Sequence, residues 1–144
     1  MLFLLQKIGL QITGGGSLKS LLVRIVFWAE SFGRAKIYYC LGDDGSVIHT
    51  SYVHPKTVKF PFLDSDDYVI GPCQTVKAFR GQGYYPRVLR YIAMLPEYAG
   101  RNIYIFVNED NHASVRGIEK AGFKFCGTLV CEGILKRYKW LRKN

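Results

Sequence analysis

Apolar residues fall in short clusters whose spacing changes along the chain, and those changes mark the elements. The opening run MLFLLQKIGLQI is apolar but interrupted at Gln6 and Lys7, and it reads as a packed first element. Gly14-Gly15-Gly16 breaks the chain. Ser17 then suits a helix start, because its hydroxyl can accept from amides of the first turn that have no partner of their own. Leu18, Leu21, Leu22, Ile25, Val26 and Ala29 recur at helical spacing and predict the buried stripe of a helix running to about residue 32. Residues 35–41 and 46–53 are rich in Ile, Val and Tyr and flank Asp43-Asp44-Gly45, which predicts a hairpin. Pro55 and Pro61 predict an irregular connection that also carries Asp64, Asp66 and Asp67.

From residue 68 the pattern becomes more specific. Residues 68–76 read as a strand that leads into a glycine-containing loop, followed by a helix over about 86–98 buried on Val88, Leu89, Ile92, Ala93 and Leu95. Pro86 suits the first turn, where its missing N–H costs nothing. Residues 102–107 form an almost unbroken apolar run, as in a strand covered on both faces. Asn111 can cap a helix through residue 121, with Gly122 just beyond its end. Two final strands, about 123–130 and 134–140, share a turn at Glu132-Gly133. The order predicts one α/β domain over residues 1–144, with a mixed, mostly antiparallel central sheet flanked by helices on both faces.

Composition narrows the function classes. A chain of 144 residues, 49% hydrophobic, is long enough for one globular core. The opening run lacks a basic start and a small-residue cleavage site, and it is shorter than the roughly 20 residues a membrane span needs, so a cytoplasmic protein without a span is expected. Cys40, Cys73, Cys126 and Cys131 form no Cys-x-x-Cys pair and have no His at ligand spacing; buried free thiols in a reducing compartment are expected, and no metal site. A formal net charge of +9 favours a polyanionic partner: coenzyme A, nucleic acid, the ribosome or an anionic membrane. The basic tail from Lys136 to Lys143 reads as a solvated last strand, and no nucleic-acid module is present, so nucleic acid is not the expected partner.

Between strand and helix lies Arg80-Gly81-Gln82-Gly83. Glycines bring successive N–H groups close to an anion, the helix start adds its free donors and dipole, and Arg80 and Arg87 add charge. A plain strand-to-helix turn with two positive-φ glycines is the simpler alternative. The segment Val76-Lys77-Ala78-Phe79-Arg80-Gly81-Gln82-Gly83-Tyr84-Tyr85 resembles the coenzyme A-binding signature Arg/Gln-x-x-Gly-x-Gly/Ala of the GCN5-related N-acetyltransferase family. Asn111 through Phe123 resembles that family's second motif: an Asn that opens a helix, a small residue three later (Ser114), and a closing Gly-Phe.

The resemblance implies a fold in which the strand before the loop parts from its neighbour and admits the pantetheine arm beside Thr75 and Val76. An N–H near Val76 would face the thioester oxygen. Gly81, Gln82, Gly83, Tyr84 and Tyr85 would wrap the pyrophosphate with Arg80, and Asn111 and Ser114 would meet the arm or phosphate region. It implies acetyl-CoA as co-substrate and direct attack by a primary amine, from a metabolite such as an amino sugar or from a protein, through a tetrahedral intermediate. Two positions depart from the family pattern. Tyr85 stands where the signature ends in Gly or Ala. Ile118 stands where many members carry a Tyr that protonates the departing thiolate, and Ile has no proton to give. Tyr84, Tyr85 and Tyr138 are the phenols that can stand in. His49, His54 and His112 titrate near neutrality; His54, at a strand end, is preferred as base and Tyr138 is retained as acid. Asp64, Asp66 and Asp67 can attract a cationic acceptor or simply be solvated, and Tyr52, Phe60, Phe62 and Tyr138 line a pocket or fill the core. A non-catalytic acyl-CoA-binding module and a nucleic-acid- or ribosome-associated protein are the alternatives. Either a monomer or a homodimer fits.

Overall fold

A computed structural model describes residues 2–6, 34–132 and 137–143. The helix expected over residues 17–32 and position 133 of the last turn lie outside the described residues. The strands are β1 (Leu2–Gln6), β2 (Lys36–Leu41), β3 (Val47–Pro55), β4 (Tyr68–Thr75), β5 (Ile103–Asn108), β6 (Lys124–Glu132) and β7 (Arg137–Lys143); the helices are α1 (Tyr84–Met94) and α2 (His112–Lys120). They form one seven-stranded sheet in the order β2-β3-β4-β5-β1-β6-β7. The pairs β2–β3, β3–β4 and β6–β7 are antiparallel, whereas β4–β5, β5–β1 and β1–β6 are parallel. This is the expected mixed α/β sheet, and the apolar opening run supplies a strand in its interior.

Local chemistry sets the boundaries. The β2–β3 turn closes through Gly42 N–H to Ser46 O (2.8 Å) and Ser46 N–H to Asp44 Oδ1 (2.9 Å), with Gly45 at φ 79°. β3 runs through Pro55, two residues beyond the expected end; a proline is tolerated at the last position of a strand. Helix α1 begins at Tyr84, two residues before expectation, because Gly83 at φ 82° turns the chain into it. It ends at Met94, four residues early: Leu95 precedes Pro96 and takes an extended conformation (ψ 137°), as residues before proline do. A short 3₁₀ turn, Pro96–Tyr98, follows. In α2, Asn111 Oδ1 accepts from Ser114 N–H (3.1 Å), and Gly122 at φ 92° follows the helix end.

Both described helices pack on one face of the sheet. There Leu89 and Ile92 of α1 and Ile118 and Ala121 of α2 meet Val53, Ile70, Ile103, Ile105, Val107 and Phe123. Burying one such Ile or Leu side chain contributes about 1.5–3 kcal/mol. On the other face Phe60 and Leu63, from the β3–β4 connection, cover Val69, Tyr104, Phe106 and Tyr138. Alternation along β5 serves both layers, Ile103, Ile105 and Val107 one way and Tyr104 and Phe106 the other, which is why its sequence reads as an unbroken apolar run. Among the described residues no helix is long and apolar enough to cross a membrane.

Candidate functional site

The parallel pairing of β4 with β5 is short. It holds for Tyr68↔Ile103, Val69↔Tyr104 and Ile70↔Ile105, and then stops. Beyond that point β4 keeps its pairing with β3 (Cys73↔Ser51, Gln74↔Thr50, Thr75↔His49), while β5 continues beside β1 (Phe106↔Leu4, Val107↔Leu5, Asn108↔Gln6). The sequence supplies the reason at the parting point. Gly71 takes φ 145°, and Pro72 has no N–H with which to continue a ladder. The two strands therefore open a wedge in the middle of the sheet. It forms a cavity of about 210 Å³, open to solvent, lined by Ile70 to Cys73, Tyr85, Ile105 to Asn108, Asn111 and Ser114.

The glycine loop sits at the mouth of this wedge. After β4 the chain makes a 3₁₀ turn (Lys77–Phe79), and Gly81 (φ 78°) and Gly83 (φ 82°) then turn it into α1. The loop is held from within: Arg80 Nε donates to Thr75 O (3.0 Å) and Gln82 Nε2 to Ala78 O (3.0 Å), while the Arg87 guanidinium lies over the Tyr84 ring at 5.7 Å. Arg80, Gly81, Gln82 and Arg87 are exposed, and no acidic residue lies in the first turn of α1. The described ion pairs (Lys36–Glu97, Arg101–Asp66 and Lys139–Glu132) all lie elsewhere. A helix start of this kind, with two guanidinium groups that join no described ion pair, has the chemistry to attract an anion. Of the expected cofactor residues, the structure brings Arg80, Gly81, Gln82, Gly83 and Tyr84 together in the loop, and Tyr85, Asn111 and Ser114 together in the wedge. Val76 N–H, expected to face a thioester oxygen, instead donates to Ile48 O (2.9 Å).

Beneath the loop His49 and Thr75, each named separately from the sequence, join Ser51 and Cys73 in a chain of polar side chains that the sequence did not reveal. His49, Ser51 and Val53 alternate onto the helix-facing side of β3, and pairing with β4 sets them against Thr75 and Cys73. His49 Nδ1 is 2.7 Å from Thr75 Oγ1, His49 Nε2 is 2.8 Å from Ser51 Oγ, and Ser51 Oγ donates to Cys73 Sγ (3.3 Å). With the Ser51 proton on sulfur, Ser51 Oγ accepts from His49 Nε2–H and Nδ1 accepts from Thr75, which assigns the tautomer. Burial holds the His49 imidazole below its ordinary pKa and pushes the Cys73 thiol up to about 11. Both are thus neutral at pH 7, and the chain ties the floor of the wedge at Cys73 to the base of the glycine loop at Thr75. The signal was available in the sequence as two polar residues at i and i+2, which an alternating strand places on one face.

The residues preferred for proton transfer lie on the other side of the sheet. His54 is buried next to Phe60 (ring centroids 6.4 Å), its Nδ1–H donates to Pro55 O (2.7 Å), and burial pushes its pKa down to about 4. Tyr138 stacks on Phe60 at 5.1 Å and on Phe106 at 6.2 Å, so it lies behind the Phe106 ring of the wedge wall and does not line the wedge. His112, next to the Asn111 cap, is exposed. Asp67 is buried and accepts from Asp64 N–H (2.8 Å) and Asn102 Nδ2 (3.1 Å), a role that fixes the loop before β4; Asp64 and Asp66 are exposed. Phe60 and Phe62 fill the core of that face. Among the described residues no group of three or more His, Cys, Asp or Glu is placed to hold a metal ion.

Asn111 both caps α2 and lines the wedge. Replacing it with Ala removes the cap at a cost of about 1 kcal/mol. Chemical denaturation of Asn111→Ala should show that loss, and Asn111→Ser, which keeps a capping oxygen but shortens the group in the wedge, should recover most of it.

No protein-family model matches the chain, and no curated protein matches it. Solved structures do. A candidate acetyl transferase from Pyrococcus furiosus superposes with a TM-score of 0.53 over 78% of this chain and 76% of that one, at 19% identity. The aminoglycoside antibiotic 6'-N-acetyltransferase AAC(6')-Ih from Acinetobacter baumannii superposes with a TM-score of 0.55 over 90% of this chain and 83% of that one, at 10% identity. At these identities the likeness is one of fold. The parted strands, the glycine loop at their mouth and these neighbours together give the chain the fold of the GCN5-related N-acetyltransferase type.

Proposed function

We propose that this chain is an acyl-coenzyme A-dependent N-acyltransferase that moves an acetyl group from acetyl-CoA to a primary amine. The observation that carries this reading is the wedge between β4 and β5 with a phosphate-receiving helix start at its mouth. An elongated ligand with an anionic end and a thin reactive arm matches such a site. The loop from Arg80 to Tyr84, with Arg87, holds the pyrophosphate, and the arm passes Asn111 and Ser114 into the wedge. The thioester carbonyl then lies among apolar walls, where an attacking amine meets it with little competition from water. The nitrogen lone pair adds to the carbonyl carbon, and the tetrahedral intermediate collapses with the electron pair leaving on sulfur. The acceptor is a small amine or a protein amine, and the active form is a cytoplasmic monomer or homodimer.

The test is to incubate the purified protein with acetyl-CoA and a broad panel of amines, including amino sugars and peptides, and to follow release of free thiol. Amine-dependent thiol release is expected; coenzyme A binding without transfer to any acceptor would remove the enzymatic reading. One observation favours that second outcome, a non-catalytic acyl-CoA-binding module: Ile118 is fully buried in the core, so α2 presents no proton donor from this position. Thermal stabilisation by coenzyme A is expected under both readings.

A further inference from the structure

Tyr85 belongs to the loop by sequence and to the wedge by structure. Its ring turns inward from the first turn of α1 and lies on α2 at Gly117, where a Cβ would stand 2.7 Å from Tyr85 Cδ1 and 3.1 Å from Cε1. The ring also meets the His49 imidazole, with centroids 5.6 Å apart. Glycine at position 117 thus makes the room that a large side chain at position 85 needs. The hydroxyl makes no hydrogen bond to any described residue. Nor is it sealed in the core: among the described residues the sealed side-chain atom without a partner is Thr57 Oγ1. A phenol that lines a cavity, packs against Gly117 and His49, and has an unsealed hydroxyl without a partner among the described residues has been left one to find in the ligand.

Resting on the acyltransferase reading above, we propose that the Tyr85 hydroxyl donates a hydrogen bond to the sulfur of the bound thioester and holds the thiolate as it departs. Tyr85, Cys73 and the β5 segment from Ile105 to Asn108 line the same cavity, which places the phenol beside an arm bound there and not with the loop residues at the rim. As the amine's C–N bond forms and the C–S bond breaks, the electron pair goes to sulfur and the amine's proton goes to solvent. The thiolate keeps the Tyr85 hydrogen bond until it takes a proton from water. Burial raises the phenol's pKa, so Tyr85 keeps its own proton throughout and acts as a donor of a hydrogen bond. A hydrogen bond to a charged acceptor is roughly twice as strong as one between neutral groups, so the contact is worth more to the departing thiolate than to the ground-state thioester.

Calorimetric titration at pH 9, where much of the coenzyme A thiol is ionised, tests the contact without turnover. Wild-type protein should bind coenzyme A about tenfold more tightly than desulfo-coenzyme A, which lacks the sulfur. Tyr85→Phe keeps the ring over Gly117 and should bind the two alike, with affinity for the desulfo ligand unchanged. Its kcat with acetyl-CoA should fall 10- to 100-fold at nearly constant KM, and the fall should shrink for an acetyl thioester of a more acidic thiol. A Tyr85→Phe variant that weakens both ligands equally would overturn the proposal by placing the hydroxyl on another part of the arm. So would a wild-type protein that binds both ligands equally, whatever the fate of the variant. If wild-type protein binds neither ligand, the acyltransferase reading itself fails, an outcome distinct from the other two.

Discussion

Adding a single methyl group at position 117 is expected to destabilise the protein while Tyr85 is present and to stabilise it once Tyr85 is gone. Gly117 is a buried residue in the middle of α2, and taken alone a helical glycine replaced by alanine gains about 0.5–1 kcal/mol through reduced freedom of the unfolded chain. Here the new Cβ would sit 2.7 Å from an aromatic carbon of Tyr85. The ring cannot shift freely, because it also packs against His49, which is itself fixed at both nitrogens by Thr75 and Ser51. Overpacking a site of this kind costs about 1–3 kcal/mol, which exceeds the helical gain. Gly117→Ala should therefore lower the urea midpoint. In a Tyr85→Ala background the same substitution should raise it, giving a coupling of about 2 kcal/mol or more in a double-mutant cycle. Additive effects would mean that Tyr85 does not rest on Gly117.

A second large effect is expected with pH. His54 is buried and neutral in the folded protein; desolvation is the main cause of its depressed pKa, the nearby charge of Lys59 adds to it, and the hydrogen bond to Pro55 O opposes it. In the unfolded chain the same group titrates near 6.5. Above that value both states are neutral and His54 contributes its full stabilising effect. As pH falls below 6.5 the unfolded state takes up the proton first, so stability is lost progressively as pH drops towards and through about 4. A fall in pKa from 6.5 to about 4 corresponds to roughly 3 kcal/mol, a large part of the stability of an ordinary domain. His49, lowered by burial as well, acts in the same direction. Urea midpoints measured from pH 7.5 to 4 should fall steeply for the natural protein and more gently for His54→Gln. Parallel curves would show that His54 is not the group responsible.

Much of the site was legible because its signals are local. Gly81 and Gly83 announce positive-φ turns, Asn111 announces a helix start, and the order strand–loop–helix is written in residues 68–94 without reference to anything distant. What Tyr85 does was not legible. Its placement depends on Gly117, thirty-two positions away in sequence and brought close only by packing of α2 against α1. The chain from Thr75 through His49 and Ser51 to Cys73 was hidden for the same reason: it joins two strands whose register is set by the whole sheet. His54 was chosen for its place at a strand end, but the alternation of β3 sends it to the opposite face from His49, and one position of pleat decides between the wedge and the aromatic core. Helix α1 was drawn too long because Leu95 continues the apolar periodicity, and the proline behind it outweighs that pattern.

The interior position of β1 bears on how the sheet can be assembled. Leu2 pairs with Tyr104 on one side and with Lys124 on the other, so its first backbone partners are synthesised about a hundred residues after it. Contacts so distant along the chain are formed late and slow the folding of a domain. Until β5 and β6 both exist, the five residues of β1, four of them apolar, lack a full set of ladder partners, and until β1 docks β5 and β6 each present an unpaired edge. A ribosome-bound fragment ending before β6 could pair β1 with β5 but would leave the other edge of β1 exposed, and the sheet would be completed only when β6 and β7 add to that edge.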